Sequence, residues 1–186
     1  TICSGTTFSV TPTDTAPDVV PTGTTYTWTV TAPVGITGAS NQATAQTAIS
    51  QTLSNTTNAA ISAVYTVTAF SGVAPNVCTN TFIVTVTVNP NPVIANKTQT
   101  ICSTGTFTVT PTNTAPDVVP TGTTYTWTVT TPAGITGASN QATAQTSISQ
   151  TLTNTTSAPI NVIYAVTASS GTAPNVCTGT FIITVT

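Results

Sequence analysis

Cys3 and Cys78, and again Cys102 and Cys177, stand 75 residues apart, and these are the residues whose type and spacing most invite chemistry. Two cysteines at identical positions of a 99-residue period predict one disulfide in each repeat, Cys3 with Cys78 and Cys102 with Cys177. Closing a loop of about 75 residues would contribute on the order of 4 kcal/mol in the chain-entropy account. Such bonds persist outside the reducing cytosol. Free buried thiols and pairing between the repeats are the alternatives. A structural zinc needs four close ligands, and the chain has neither His nor a Cys-x-x-Cys, so no metal is expected.

The rest of the reactive inventory is short. Asp14, Asp18, Asp117 and Lys97 are the only charged side chains, with no Glu, Arg or His. Asp14 and Asp18 share a loop and could offer oxygen to calcium, which takes six to eight oxygen ligands; the second repeat replaces Asp14 with Asn113. Solvated or turn-capping aspartates are the simpler reading. General acid–base catalysis needs His, paired carboxylates or another group of tuned pKa. The tyrosines alternate with core positions, so no enzyme and no cofactor are expected. Asn55, Asn96 and Asn154 each begin an N-x-Thr sequon, and Asp14-Thr15-Ala16 resembles an O-glycosylation motif, making Thr15 a further candidate for modification. Alternating threonines could suggest an ice-binding grid, but a twisted sheet presents a poor one. An internal isopeptide bond would need a lysine in each repeat, and Lys97 is the only one.

Composition excludes partners more firmly than it proposes them. Charged residues make up 2% of the chain, against about a quarter in an ordinary globular protein. One lysine cannot displace the counterions of a nucleic acid, nor bind an anionic membrane surface. No apolar run approaches the roughly 20 residues of a membrane span, so no direct membrane insertion is expected of this segment. Hydrophobic residues still make up 39% and alternate regularly, which predicts a folded chain rather than a disordered one. The polar role falls to 52 threonines with Ser, Asn and Gln.

The elements that must position these residues have the two-residue period of half-buried strands. In TTYTWTVTA, Tyr26, Trp28 and Val30 face one way and the threonines the other. Ile61, Ala63, Tyr65, Val67 and Ala69 form an inward set, as do Phe82, Val84, Val86 and Val88, with Phe8 and Val10 on an earlier strand. Stiff, β-branched Thr suits the exposed side. Proline- and glycine-bearing stretches such as PTDTAPDVVPTG and APVGITGASNQ read as loops. About seven strands per repeat, with the Cys-Trp-Cys order, point to an all-β fold of two tandem immunoglobulin-like sandwiches. In this arrangement the bridge would staple the N-terminal edge to the final hairpin.

The two copies agree at 69 of their 87 overlapping positions without insertion or deletion. The boundary falls in VNPNPVIANKTQT, giving repeats over 1–90 and 91–186. Its prolines stiffen the connection, and VIANKTQT could form the opening strand of the second domain. The first would then lack its counterpart, and the whole reads as a piece of a longer chain.

TICSG, TTYTWTVT, GITGAS, ISQTLTNTT, VIYAVTAS, a second Cys before TGTFIITVT and a closing VNPNP together resemble the PKD-like repeat domains of very long Bacteroidota surface proteins. The resemblance covers the whole repeat. It implies immunoglobulin-like sandwiches displayed outside the cell, commonly after type IX secretion, with roles in adhesion or gliding. The long loop TPTDTAPDVVPTG departs from many members and is the first place to look for contacts with other domains or chains. The expected function is the shaft of an adhesin or a self-assembled extracellular filament. Its partners would be further repeats of the same chain and identical neighbouring chains. The rival is a multivalent adhesion module for glycans or surface proteins.

Overall fold

The computed structural model describes residues 1–186 and divides into two compact units, Thr1–Pro90 and Asn91–Thr186. Neither contains a helix. The first unit runs through β1 (Ile2–Cys3), β2 (Thr6–Val10), β3 (Thr25–Thr31), β4 (Ile36–Thr37), β5 (Gln42–Gln46), β6 (Ile49–Asn55), β7 (Ile61–Val73) and β8 (Asn76–Asn89). A five-stranded sheet has the order β1-β8-β7-β3-β5, and a three-stranded sheet the order β2-β6-β4. Together they form the two layers of a sandwich.

Alternation decides which side chains fill it. Tyr26, Trp28, Ala63, Tyr65, Val67, Val86 and Val88 from the larger sheet meet Phe8, Ile49 and Leu53 from the smaller one, all buried in one cluster. The Phe8 and Tyr65 rings lie tilted at a centroid distance of 5.1 Å, so the sheets are joined by aromatic contact as well as aliphatic packing. On the opposite side of β3, Thr29 and Thr31 face solvent.

The second unit repeats this plan with β9 (Lys97–Gln99), β10 (Thr106–Val109), β11 (Thr124–Thr130), β12 (Ile135–Thr136), β13 (Gln141–Gln145), β14 (Ile148–Thr151), β15 (Thr153–Asn154), β16 (Val162–Ser170) and β17 (Cys177–Val185). Its five-stranded sheet has the order β13-β11-β16-β17-β9. The pairs β10-β14 and β12-β15 make up the other layer, with Leu152 interrupting what is β6 in the first unit. The stretch expected to open this domain is a strand only over Lys97–Gln99, lying parallel to Ile183–Val185.

That short strand has a measurable consequence. Phe181 and Ile183 are buried beside it, with Ile94 in the same cluster. The equivalent Phe82 and Val84 are half-buried in the first unit, where β8 meets β1 only at Val88–Asn89.

Candidate functional site

The polar groups that both repeats share were built into the fold itself. Trp28 Nε1 donates to the carbonyl of Ser40 at 3.1 Å, and Gln51 Nε2 donates to the same carbonyl at 2.7 Å. Gln51 Oε1 in turn accepts from the Ser40 N–H and from the Tyr65 hydroxyl. Trp28 and Tyr65 belong to the large sheet and Gln51 to the small one, so the network ties the layers together. Trp127, Ser139, Gln150 and Tyr164 repeat every bond. Repetition of GASNQ and ISQT in the sequence was the available signal for Ser40 and Gln51, but nothing local says that they meet.

The network is chemically quiet. Burial pushes both Tyr65 and Tyr164 up to about 12, so neither phenol serves as a base near neutrality. Because the folded state holds the proton more tightly, these tyrosines support folding below the unfolded value near 10. That support is lost as the pH rises through 12. An open trough of about 810 Å³ crosses the large sheet of the second unit, lined by Thr126, Thr128, Asn140, Thr167 and Thr180 among others, with no ionisable side chain.

Asp14 and Asn113 do the same work. Each side-chain oxygen accepts a backbone N–H six residues on, Val20 and Val119 respectively, at 3.0 Å. The turn-capping role survives the substitution because either side chain supplies that oxygen. No group of three or more His, Cys, Asp or Glu side chains comes together. Asp18 is exposed, whereas its counterpart Asp117 is buried.

Asp117 belongs to the long proline-rich loop, and it holds the opening segment of its own repeat. Its carboxylate pairs with Lys97 and accepts the Ala95 N–H. Beside it, Val93 and Val118 exchange both backbone hydrogen bonds. Burial alone would raise the Asp117 pKa, but the hydrogen bond and charge of Lys97 and the Ala95 N–H outweigh it and hold the carboxyl below its ordinary value. A depressed folded pKa means that this clasp stabilises fully above the unfolded value near 4, and is lost as the pH falls through the folded one. Asp117→Asn is expected to cost on the order of 2 kcal/mol at neutral pH and to flatten the acid limb of the stability profile. Acid titration of unfolding for the two proteins checks this.

The cysteines depart from expectation. Cys78 and Cys102 are exposed free thiols. Neither Cys3–Cys78 nor Cys102–Cys177 is closed, and register explains why. Cys3 is the partner of Asn89 at one end of the sheet, while Cys78 opposes Ser71 towards the other. Eleven strand residues separate Cys78 from Asn89, or roughly 35 Å at about 3.3 Å each. In the second unit Ile101, beside Cys102, bonds Thr186, nine residues along the strand from Cys177. A disulfide needs Cα atoms within about 7 Å, so no repeat can close its own.

The sequons also have a structural use. Asn55 is buried, and its side-chain nitrogen donates to the carbonyls of both Ala59 and Val88 at 2.8 Å. Its Oδ1 accepts from the N–H and hydroxyl of Thr57. Glycosylation at Asn55, allowed by the sequence, is incompatible with this fold because the acceptor nitrogen is enclosed and both its hydrogens are in use. Asn154 caps its turn in the same way but is only half-buried. Asn96 is exposed, with Oδ1 accepting from Ile182, and Thr15 is exposed in its loop.

Comparison with known proteins agrees with this architecture. Among curated proteins nothing matches. A solved endo-fucoidan hydrolase from glycoside hydrolase family 107 is similar at 16% identity over 87% of this chain, with a TM-score of 0.25. The match spans 23% of that enzyme's chain, and so weak a likeness carries no argument about activity. The family model described as PKD-like domain matches twice, over residues 1–92 and 99–186. Domains of this kind are usually non-catalytic, serve as structural or adhesion-type modules and, like structural disulfides, are typical of extracellular proteins. Two matches that between them span nearly all of the sequence place this chain in the PKD-like domain family.

Proposed function

We propose that these tandem domains are structural repeats in the shaft of a long extracellular, surface-displayed protein, and that their partners are further repeats and neighbouring copies of the same chain. The observation that carries this reading is the fate of the shared polar groups. The Trp–Ser–Gln–Tyr network and the Asn–Thr–Thr turn recur in both units, and in each they are spent on holding layers and loops together. The shared aromatics are engaged likewise, since Tyr26, Trp28, Tyr65 and their counterparts are buried. What remains outside is a neutral surface rich in threonine, with isolated exposed aliphatics such as Ile83 and Ile163. A net charge of −2 opposes close approach of copies only weakly.

Adhesion to a glycan or a surface protein is the rival, and a binding assay separates the two. The two-repeat protein is expected to give no saturable signal on a glycan array or on candidate surface proteins. Saturable binding abolished by replacing the proline-rich loops would transfer the function to adhesion.

A further inference from the structure

The outer face of the second unit's large sheet carries a knob beside a hole. Ile163 and Ala165 stand two residues apart on β16 and point away from the core, while the alternating Val162, Tyr164 and Val166 are buried. Ile163 is 52% exposed and is flanked in register by Thr130 and Thr184. Ala165 lies in the next row, between Thr128 and Ile182. Its short side chain leaves a depression on either side. The open trough of about 810 Å³ reaches it from one direction, and a hollow of about 400 Å³, lined also by Thr128, Asn161 and Ile163, reaches it from the other.

The first unit carries different side chains at both places, with Thr66 where the second has Ala165 and Val64 where it has Ile163. We propose that the outer face of the second unit's large sheet is a self-association surface whose occupant is the same face of a second copy of this chain. Ile163 of each copy sits over Ala165 of the other. A two-fold axis lying in the interface and crossing β16 between these residues makes both contacts at once, as an isologous dimer requires. The same axis sets the row of Thr130, Ile163 and Thr184 against the row of Thr128, Ala165 and Ile182.

A second copy fits this face by charge, shape and area. No ionisable side chain lines either depression, so the face does not repel its own image. Knob and hole lie roughly 7 Å apart along one strand, and each is the complement of the other. Small side chains around them let two sheets approach to the spacing of about 10 Å found between packed sheets. With five strands, of which β16 and β17 are nine residues long, the face has a footprint on the order of 600 Å². Two such faces reach the roughly 1,200 Å² at which specific interfaces begin. A contact of that size is weak singly and suits copies lying side by side. It rests on the reading that neighbouring copies of the chain are partners, and it names the surface they use.

Sedimentation equilibrium of the two-repeat protein, with Cys78 and Cys102 alkylated so that these thiols cannot cross-link copies, tests this. A reversible equilibrium between monomer and dimer is expected, with a dissociation constant below about 1 mM. Ala165→Thr fills the hole with the residue that the first unit uses, and Ile163→Thr removes the knob. Each should raise the dissociation constant at least tenfold. Ile83→Thr removes an aliphatic side chain that is 58% exposed in the first unit, and should leave association unchanged. A protein that stays monomeric leaves the face to another occupant and overturns the proposal. So does a dimer that neither second-unit variant weakens, or one that Ile83→Thr weakens equally. None of these results bears on the shaft reading, which is decided by labelling of native fibres.

Discussion

Tyr164→Ala is expected to destabilise the second domain by about 3–5 kcal/mol, the usual cost of truncating a large aromatic in a packed core. Tyr164 has no exposed surface, packs its ring on Phe107 at a centroid distance of 5.1 Å, and donates its hydroxyl to Gln150. The substitution removes the packing between the sheets and a hydrogen bond of the network at once. Against a typical domain stability of 5–15 kcal/mol, that half should unfold at visibly lower denaturant and split the transition into two steps. Tyr164→Phe keeps the ring and removes only the bond to Gln150, so about 1 kcal/mol is expected. Denaturant unfolding of the three proteins, followed by tryptophan fluorescence, separates the packing contribution from the polar one. Comparable losses in both variants would mean that the network, rather than the core, holds the sheets together.

Gly137→Ala should cost about 3 kcal/mol through an unrelated cause. Gly137 adopts a φ of 89°, which L side chains rarely tolerate. A Cβ there would also be driven into the backbone carbonyl oxygen of Thr151, which strand pairing prevents from yielding. Strain of about 1–3 kcal/mol is thus compounded by displacement of the adjoining strand. Gly122 provides the control, because its φ is likewise positive at 79° but a Cβ would meet no neighbour. Gly122→Ala should lose only the conformational part, and a calorimetric comparison of the two should show the larger drop in Tm at Gly137. Equal drops would remove the close approach to Thr151 from the explanation.

The sheets were legible because alternation is a local signal. Tyr26, Trp28, Tyr65, Val67 and Phe8 could be assigned to the interior from period alone, and all five are buried. The cysteines were misread because pairing depends on distance across the folded sheet, which a recurrent spacing of 75 residues does not encode. Once β8 is known to run from Asn76 to Asn89, Cys78 and the Cys3 partner Asn89 are plainly at its opposite ends. Asp117 was hidden for a related reason. Its partner Lys97 lies twenty residues upstream, in a stretch whose composition reads as linker. Asn55 looked like a modification site because a sequon and an Asn–Thr–Thr turn that plugs a sandwich edge have the same letters.

Electron microscopy of the native extracellular material decides whether the repeats are lengths of shaft, as proposed above. Fibres or rods labelled along their length by antibodies against the repeat are the expected result. Label confined to fibre tips or to dispersed compact particles would overturn the proposed shaft role.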